Sequence, residues 1–168
     1  MTSLARSLIV VTFALLGASV ASGQTAAQKI LSLDGAKAVA DSAAAEAKKH
    51  NAGGAIAVVD NGGHLVYLAR LDKTFPAASA VAIEKARTAA TFRRPTRDFE
   101  NAIKNGRTSL LGVAVMTPLQ GGVPILVDGE VVGAIGVSGA TSAQEDDDIA
   151  TVAAAALQAP ATASAQPR

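Results

Sequence analysis

The stretch that decides the fold is residues 54–71, which read GAIAVVDNGGHLVYLARL. Two runs rich in Val, Ile, Leu and Tyr flank Asp60-Asn61-Gly62-Gly63, and turn residues between such runs are typical of a β-hairpin. We expect Gly62 to adopt a positive φ in this turn. Successive side chains of the second run point to opposite faces of the strand, and both faces are largely apolar. The pattern therefore predicts a strand that is central in its sheet or covered on both sides, with His64 at its wetter end.

A second hairpin is predicted further along the chain. The segments VPILV and EVVGAIGVS are joined by Asp128-Gly129, a dipeptide typical of two-residue hairpin turns. Two hairpins imply antiparallel pairing, because strands joined by tight turns run in opposite directions.

Helices are predicted before, between and after the hairpins. We expect the first to be capped by Asp34 and stopped by Asn51 and Gly53, and the second to begin at Pro76 and end before Pro95. Thr96 is then predicted to cap a third helix.

The last helix is predicted to begin at Ser142, which forms a capping box with Glu145. The adjacent acids at 146–148 are assigned to the dipole of that helix rather than to a cation site. The order helix, hairpin, two helices, hairpin, helix predicts an α+β fold with one antiparallel sheet partly covered by helices.

Composition and the termini indicate one exported domain. The chain has 168 residues, 49% of them hydrophobic. Residues 1–23 have the pattern of a signal peptide with cleavage between Ala21 and Gly23, followed by a joint at 24–32, a domain at 33–157 and a flexible tail at 158–168. The predicted location is periplasmic or secreted, with no membrane span after cleavage.

The charged residues and the absence of cysteine exclude several kinds of function. Loss of the signal peptide removes only Arg6, which leaves 14 basic against 14 acidic residues. This balance argues against non-specific nucleic-acid binding. The chain has no cysteine, so disulfides and thiolate chemistry are excluded.

Few residues are candidates for catalysis or metal binding. The only histidines are His50, assigned to a helix C-terminus, and His64. The glycine-rich residues 133–139 lie in a hairpin strand and not in the parallel βαβ unit of a dinucleotide site. A run of basic residues could bind carboxylates or phosphates, or could be a solvated helix face: Lys85, Arg87, Arg93, Arg94 and Arg97.

Three ordered motifs resemble those of the GlcG/HbpS-like family, which also occurs as the C-terminal domain of PduO-type proteins. The motifs are GGAIAVVDNGGHLVYLARLD, AIEKARTAATF and PLQGGVPILVDGEVVGAIGVSGATSAQEDDDIA. The resemblance implies a profilin-like or roadblock-like antiparallel sheet flanked by helices, and assembly as a homo-oligomer.

The resemblance also implies a ligand, since HbpS-type members bind haem and are exported. Haem requires an apolar slot, an axial donor and cations for its propionates. The candidate haem-binding residues are His64, Met116 and Thr88 as donors, with Lys85, Arg87 and Arg93 as propionate partners. The resemblance favours the EKARTAA helix over His64 as the source of ligand contacts. The small residues of this helix would also suit packing between subunits.

Three classes of function follow from these residues. The favoured class is an exported protein that binds haem or a related tetrapyrrole without turnover. The alternatives are a small enzyme of haem degradation or of glycolate or hydroxy-acid metabolism, and a homo-oligomer without a ligand.

Overall fold

The structure is a computed structural model that describes residues 26–158. The predicted signal peptide and nearly all of the predicted tail lie outside these residues. Four helices and four strands follow in chain order: α1 (Leu33–Lys49), β1 (Ala55–Asp60), β2 (Leu65–Arg70), α2 (Ala78–Phe92), α3 (Thr96–Lys104), β3 (Gly122–Val127), β4 (Glu130–Ser138) and α4 (Ala143–Ala154). Short 3-10 helices lie at Thr108–Gly112 and Ala155–Leu157.

The strands form one antiparallel sheet in the order β2-β1-β4-β3. Both predicted hairpins are confirmed, and β1 joins them by pairing with β4, so that Val58 lies opposite Ile135. The expectation that β2 is central or covered on both sides is wrong, because β2 lies at an edge of the sheet. Its apolar residues Leu65 and Leu68 are exposed, while Val66 and Tyr67 contact the larger core.

Helices cover both faces of the sheet. On one face, α1 and α4 enclose a core of Val, Ile and Ala side chains that includes Ile56, Ile125 and Ile149. On the other face, the alanines of α2 pack on small residues of β1 and β4. The α+β class with an antiparallel sheet flanked by helices is therefore confirmed.

The contact between α2 and the sheet is a close approach of two backbones. A Cβ atom at Gly136 would lie 2.1 Å from the Ala82 carbonyl oxygen, and one at Gly122 would lie 2.4 Å from the Lys85 carbonyl oxygen. Only glycine fits at these two positions, because any side chain would push the helix away from the strands.

Two predicted helix caps are wrong. Helix α1 is capped by Ser32, whose hydroxyl accepts a hydrogen bond from the Gly35 backbone N–H, and Asp34 lies inside the first turn. Thr96 is the first residue of α3, and its buried hydroxyl is within hydrogen-bond distance of both backbone groups of Gly122. Thr96 thus ties α3 to β3 instead of capping its own helix.

The cap of α4 agrees with its prediction. The Ser142 hydroxyl accepts a hydrogen bond from the Glu145 backbone N–H at 3.1 Å. The Glu145 carboxylate accepts from the backbone and hydroxyl of Thr141, one residue before the position that a capping box uses. Hydrogen bonds of both Ser142 and Glu145 therefore stabilise the start of α4.

The positive φ of the first turn falls on Gly63 and not on Gly62 as predicted. Gly63 has a φ of +84°, and its N–H donates to the Asp60 carbonyl oxygen at 3.0 Å. In the second turn, Asp128 and Gly129 both have positive φ, as two-residue hairpins favour. Among residues 26–158, no helix is long and apolar enough to cross a membrane.

Candidate functional site

Three of the six predicted ligand residues, His64, Arg87 and Lys85, lie in two separate places beside α2. The first place, which we call the turn surface, consists of Asp60, His64 and Arg87. It forms because the turn between β1 and β2 lies against α2, where a Cβ at Gly63 would be 2.9 Å from Cγ of Arg87. The second place is a cavity beside Lys85.

At the turn surface, Asp60 holds His64 in position. One carboxylate oxygen of Asp60 accepts hydrogen bonds from the backbone N–H groups of Gly62 and His64, both at 2.9 Å. Nδ1 of the His64 ring lies 3.3 Å from the same carboxylate. A carboxylate beside Nδ1 favours the proton on that nitrogen, which leaves Nε2 with a lone pair for a ligand.

Asp60 is suited to this role because it stays ionised. Its partial burial works to raise the pKa of the carboxyl, but hydrogen bonds from the backbone N–H groups of His64 and Gly62 and from the His64 ring outweigh burial. The net effect holds the pKa of Asp60 below its usual value. The side chain of His64 is 83% exposed, so Nε2 is open to a ligand from solution.

Arg87 provides a cation beside the same turn. Its Nε donates to the Gly63 carbonyl oxygen at 3.4 Å, and its guanidinium pairs with Glu84 on the preceding turn of α2. Both side chains of this pair are about half exposed, and such pairs contribute little to stability. The guanidinium can therefore exchange Glu84 for an anionic ligand at small cost.

The second place is a cavity of about 380 Å³, which we call the Lys85 cavity. Lys85 is only 3% exposed, and its ammonium donates to Asp146 at 2.8 Å and to the Val137 carbonyl oxygen at 2.9 Å. Besides these two charged residues the lining includes Phe75, Val81, Glu100, Leu119, Ser138 and Ser142. A propionate at Lys85 would have to lie beside the buried Asp146 carboxylate or displace it.

The other predicted residues have different surroundings. Thr88 is 1% exposed, and its hydroxyl accepts a hydrogen bond from the Thr117 backbone N–H at 2.9 Å. Met116, the residue before Thr117, is buried. Arg93 is exposed at the end of α2, with a left-handed backbone. Thr88 and Met116 thus lie inside the protein, away from the exposed ring of His64.

The basic run is not one solvated helix face. Lys85 is buried against Asp146, and Arg97 pairs with Asp147 at 2.5 Å. Arg94 pairs with Asp98 and stacks over the ring of Phe99. The run therefore serves several packing contacts, and its cations do not converge on one ligand.

The two buried acids of α4 are the main residues that the sequence interpretation missed. Asp146 accepts from the Ala140 N–H and Asp147 from the Gly121 N–H, in addition to their ion pairs with Lys85 and Arg97. The assignment of this acidic run to the helix dipole is wrong for these two residues, because both are buried. Three consecutive acids give no sequence signal of which are buried, and the structure buries Asp146 and Asp147 but exposes Asp148.

The two histidines do not meet in one site. His50 lies at the end of α1, where its ring contacts Glu46 at 3.2 Å and Glu145 at 3.9 Å. In the part of the chain that the structure describes, no group of three or more His, Asp and Glu side chains is arranged to hold a metal ion.

The antiparallel sheet with helices on both faces makes this an α+β protein of the fold seen in HbpS. The model of the family described as haem degrading protein HbpS-like matches residues 31–156. The chain therefore belongs to the HbpS-like family, as its motifs predicted.

Individual relatives agree with this assignment. Protein GlcG of Escherichia coli K12 is 48% identical over 109 residues, which are 65% of this chain and 81% of GlcG. The structure of a double mutant of HbpS from Streptomyces reticuli superposes with a TM-score of 0.73 at 27% identity, covering 92% of this chain and 99% of HbpS. A complex of PduOC with haem has the same fold, with a TM-score of 0.67 at 24% identity, 76% of this chain and 94% of PduOC.

Proposed function

We propose that this protein is exported and binds haem at the turn surface, with His64 Nε2 as the axial ligand and Arg87 as a partner for a propionate. The observation that carries the proposal is the exposed His64 ring held at Nδ1 by Asp60. Metal-binding histidines commonly donate the N–H of their second ring nitrogen to a carboxylate, which fixes the tautomer and raises the basicity of the ligand nitrogen.

The turn surface supplies two of the three groups that haem requires. His64 supplies an imidazole nitrogen and Arg87 supplies a cation that can form two hydrogen bonds to a carboxylate, and the next residue in the chain, Leu65, is apolar and exposed. Bound haem would supply a redox-active iron, whose reactivity depends on the axial ligand and its surroundings. The family name and the haem complex of PduOC support haem as the ligand.

The geometry favours His64 over the EKARTAA helix as the source of the donor. The Thr88 hydroxyl is buried and bonded to a backbone N–H, and Lys85 is already neutralised by Asp146. Use of either residue would require an internal contact to break. His64 needs no rearrangement, and Arg87 has only to exchange its half-exposed contact with Glu84.

Titration of the purified protein with haemin tests this proposal, with the Soret band as the readout. We expect saturable binding, and a loss of at least about tenfold in affinity for His64→Ala because the axial bond is removed. His50→Ala is the matched control, since it removes the only other histidine, and should bind haemin like the parent. Asp60→Asn should weaken binding less than His64→Ala, because Asp60 only holds the ring in position.

Two results would refute the assignment. If the parent protein gives no saturable Soret band, it does not bind haem. If Thr88→Val abolishes the band while His64→Ala binds like the parent, the donor lies on α2, as the family resemblance favoured.

Export and assembly are part of the same proposal. The signal-peptide pattern supports export, and the exposed Leu65 and Leu68 of edge strand β2 support contact with a second copy. Cell fractionation of the full-length protein should place it outside the cytoplasm at a mass lowered by cleavage near Ala21–Gly23. Light scattering should give a multiple of the monomer mass, and a monomeric cytoplasmic protein would contradict both expectations.

A further inference from the structure

The Lys85 cavity has the composition of a second binding site, and its electrostatics restrict what it can bind. Its volume of about 380 Å³ lies at the lower end of the range for small-molecule sites. The ammonium of Lys85 uses two of its three N–H groups for Asp146 and Val137. One N–H is thus left for an acceptor atom in the cavity.

The charges around the cavity are already paired. Lys85 and Asp146 neutralise each other at 2.8 Å, and Glu100 is paired with Lys104 at 2.6 Å. Burial works to raise the pKa of Glu100, but hydrogen bonds from Lys104 and the Gln120 backbone, with the charges of Lys104 and Lys85, lower it below its usual value. The cavity therefore presents hydrogen-bonding groups but no uncompensated charge.

This pairing disfavours a charged ligand. A carboxylate at the remaining N–H of Lys85 would lie beside the Asp146 carboxylate, and an ammonium at Asp146 would lie beside the Lys85 ammonium. Either ligand would add a second charge of the same sign to a buried, already neutral pair, which is strongly unfavourable. A neutral oxygen group can instead accept from Lys85 and exchange hydrogen bonds with the hydroxyls of Ser138 and Ser142, with the ion pair intact.

The remaining walls are apolar. Phe75 and Leu119 are each about half exposed at the rim, and Val81 lies on the adjoining face of α2. A short carbon chain attached to the polar group would cover these side chains from water.

We propose that the Lys85 cavity binds a neutral short-chain hydroxy- or oxo-compound, with its oxygen atoms at Lys85 and Asp146 and its carbon chain against Phe75, Val81 and Leu119. This site is separate from the turn surface and does not depend on haem. The structural support is the combination of an enclosed ion pair, serine hydroxyls and an apolar rim in one cavity.

Amide chemical-shift titration of the full-length protein tests the proposal, with hydroxyacetone and glycolate as the matched probes. The two molecules have the same number of non-hydrogen atoms, and only glycolate is charged. We expect saturable shifts for Gly121, Gly139 and Ala140 with millimolar hydroxyacetone, the range open to so small a ligand, and at least about tenfold weaker binding of glycolate. 1-Hydroxy-2-butanone, which has one more methylene, should bind about fourfold tighter than hydroxyacetone.

Variants place the binding in the cavity. Val81→Phe should abolish the shifts because its ring fills the space, whereas Val152→Phe adds the same ring to an exposed residue of α4 and should bind like the parent. The double variant Lys85→Met with Asp146→Leu removes both charges at once, so that neither is left unpaired, and should also lose binding.

The proposal is overturned if hydroxyacetone gives no saturable shift up to about 100 mM, or if glycolate binds as tightly as hydroxyacetone. Unchanged shifts in both Val81→Phe and the double variant would place any binding outside the cavity. A haemin titration of the same variants is expected to be unaffected, which separates this site from the turn surface.

Discussion

Gly62 and Gly63 are neighbours in one turn but have different backbone requirements. Gly63 has a φ of +84°, and a Cβ there would lie 2.9 Å from the Arg87 side chain, whereas Gly62 is exposed and has no positive φ. We predict that Gly63→Ala destabilises the protein by about 1–3 kcal/mol because it combines backbone strain with a steric contact. Urea denaturation of both variants measures this difference.

Gly62→Ala is the control for that prediction, since the atoms nearest to its Cβ belong to the movable ring of His64. It should change the unfolding free energy much less. Equal losses in the two variants would contradict the assignment of the strained position to Gly63.

The sequence located the turn that carries Asp60 and His64 but not the contact between Lys85 and Asp146, and the reason is distance along the chain. Asp60 and His64 are four residues apart, so the turn that brings them together can be read locally. Lys85 and Asp146 are 61 residues apart, and they meet only because α2 and α4 both lie at the end of β4. The sequence gives no local sign of that contact, so the acids near 146 could be interpreted only through their own helix.

At the level of helices, the cap of α1 gives a direct comparison. The Ser32 hydroxyl accepts the Gly35 N–H at 3.1 Å, while Asp34 contributes only a charge in the first turn. Ser32→Ala should cost about 1 kcal/mol of unfolding free energy, and Asp34→Asn about 0.3–0.5 kcal/mol. Chemical denaturation should show the larger loss of unfolding free energy for Ser32→Ala. A larger loss for Asp34→Asn would indicate that Asp34, and not Ser32, is the cap.

Three consecutive acids at the start of α4 allow a second comparison between elements. Asp147 is fully buried and joins α4 to the Gly121 backbone and to Arg97 of α3, whereas the next residue, Asp148, is exposed. Asp147→Ala leaves the buried Gly121 N–H without its acceptor, so it should cost about 1–3 kcal/mol or more.

The matched variant Asp148→Ala removes the same side chain from the exposed face. Its contact is a hydrogen bond from Gln144, and its loss should change the unfolding free energy by less than about 0.5 kcal/mol. Similar losses in the two alanine variants would show that the contacts of Asp147 contribute nothing beyond helix propensity.

Over the whole molecule, several carboxyl groups are more acidic than usual in the folded state. The pKa values of Glu46, Asp60, Glu100, Asp128 and Glu145 are lowered by hydrogen bonds and neighbouring cations. The unfolded chain therefore binds more protons than the folded protein in acid. Stability should be complete above the ordinary carboxyl pKa values and fall between about pH 5 and pH 2 as the pH passes through the lowered ones.

Unfolding free energies measured across this pH range test the prediction. Asp60→Asn should reduce the dependence on pH, because one lowered carboxyl is removed. A stability that is constant or that rises toward acid would contradict the assignment of these pKa shifts.

Of the whole fold, the element order was predictable and the strand order was not. Turn residues and apolar runs mark the hairpins locally, but the pairing of β1 with β4 joins segments on either side of α2 and α3. For the same reason β2 was wrongly predicted to be central, because a strand with two apolar faces is usually covered on both sides. At the sheet edge, its Leu65 and Leu68 are exposed.

The alanine layer between α2 and the sheet has a thermodynamic consequence. Alanine has no side-chain rotamers to restrict, so this half of the interior becomes ordered with little loss of side-chain entropy. The opposite half contains most of the buried Ile and Val, so it loses more rotamer freedom but excludes more water. Folding of the α2 face thus depends on dispersion between closely spaced backbones, and we expect it to tolerate larger side chains less well than the α1–α4 face.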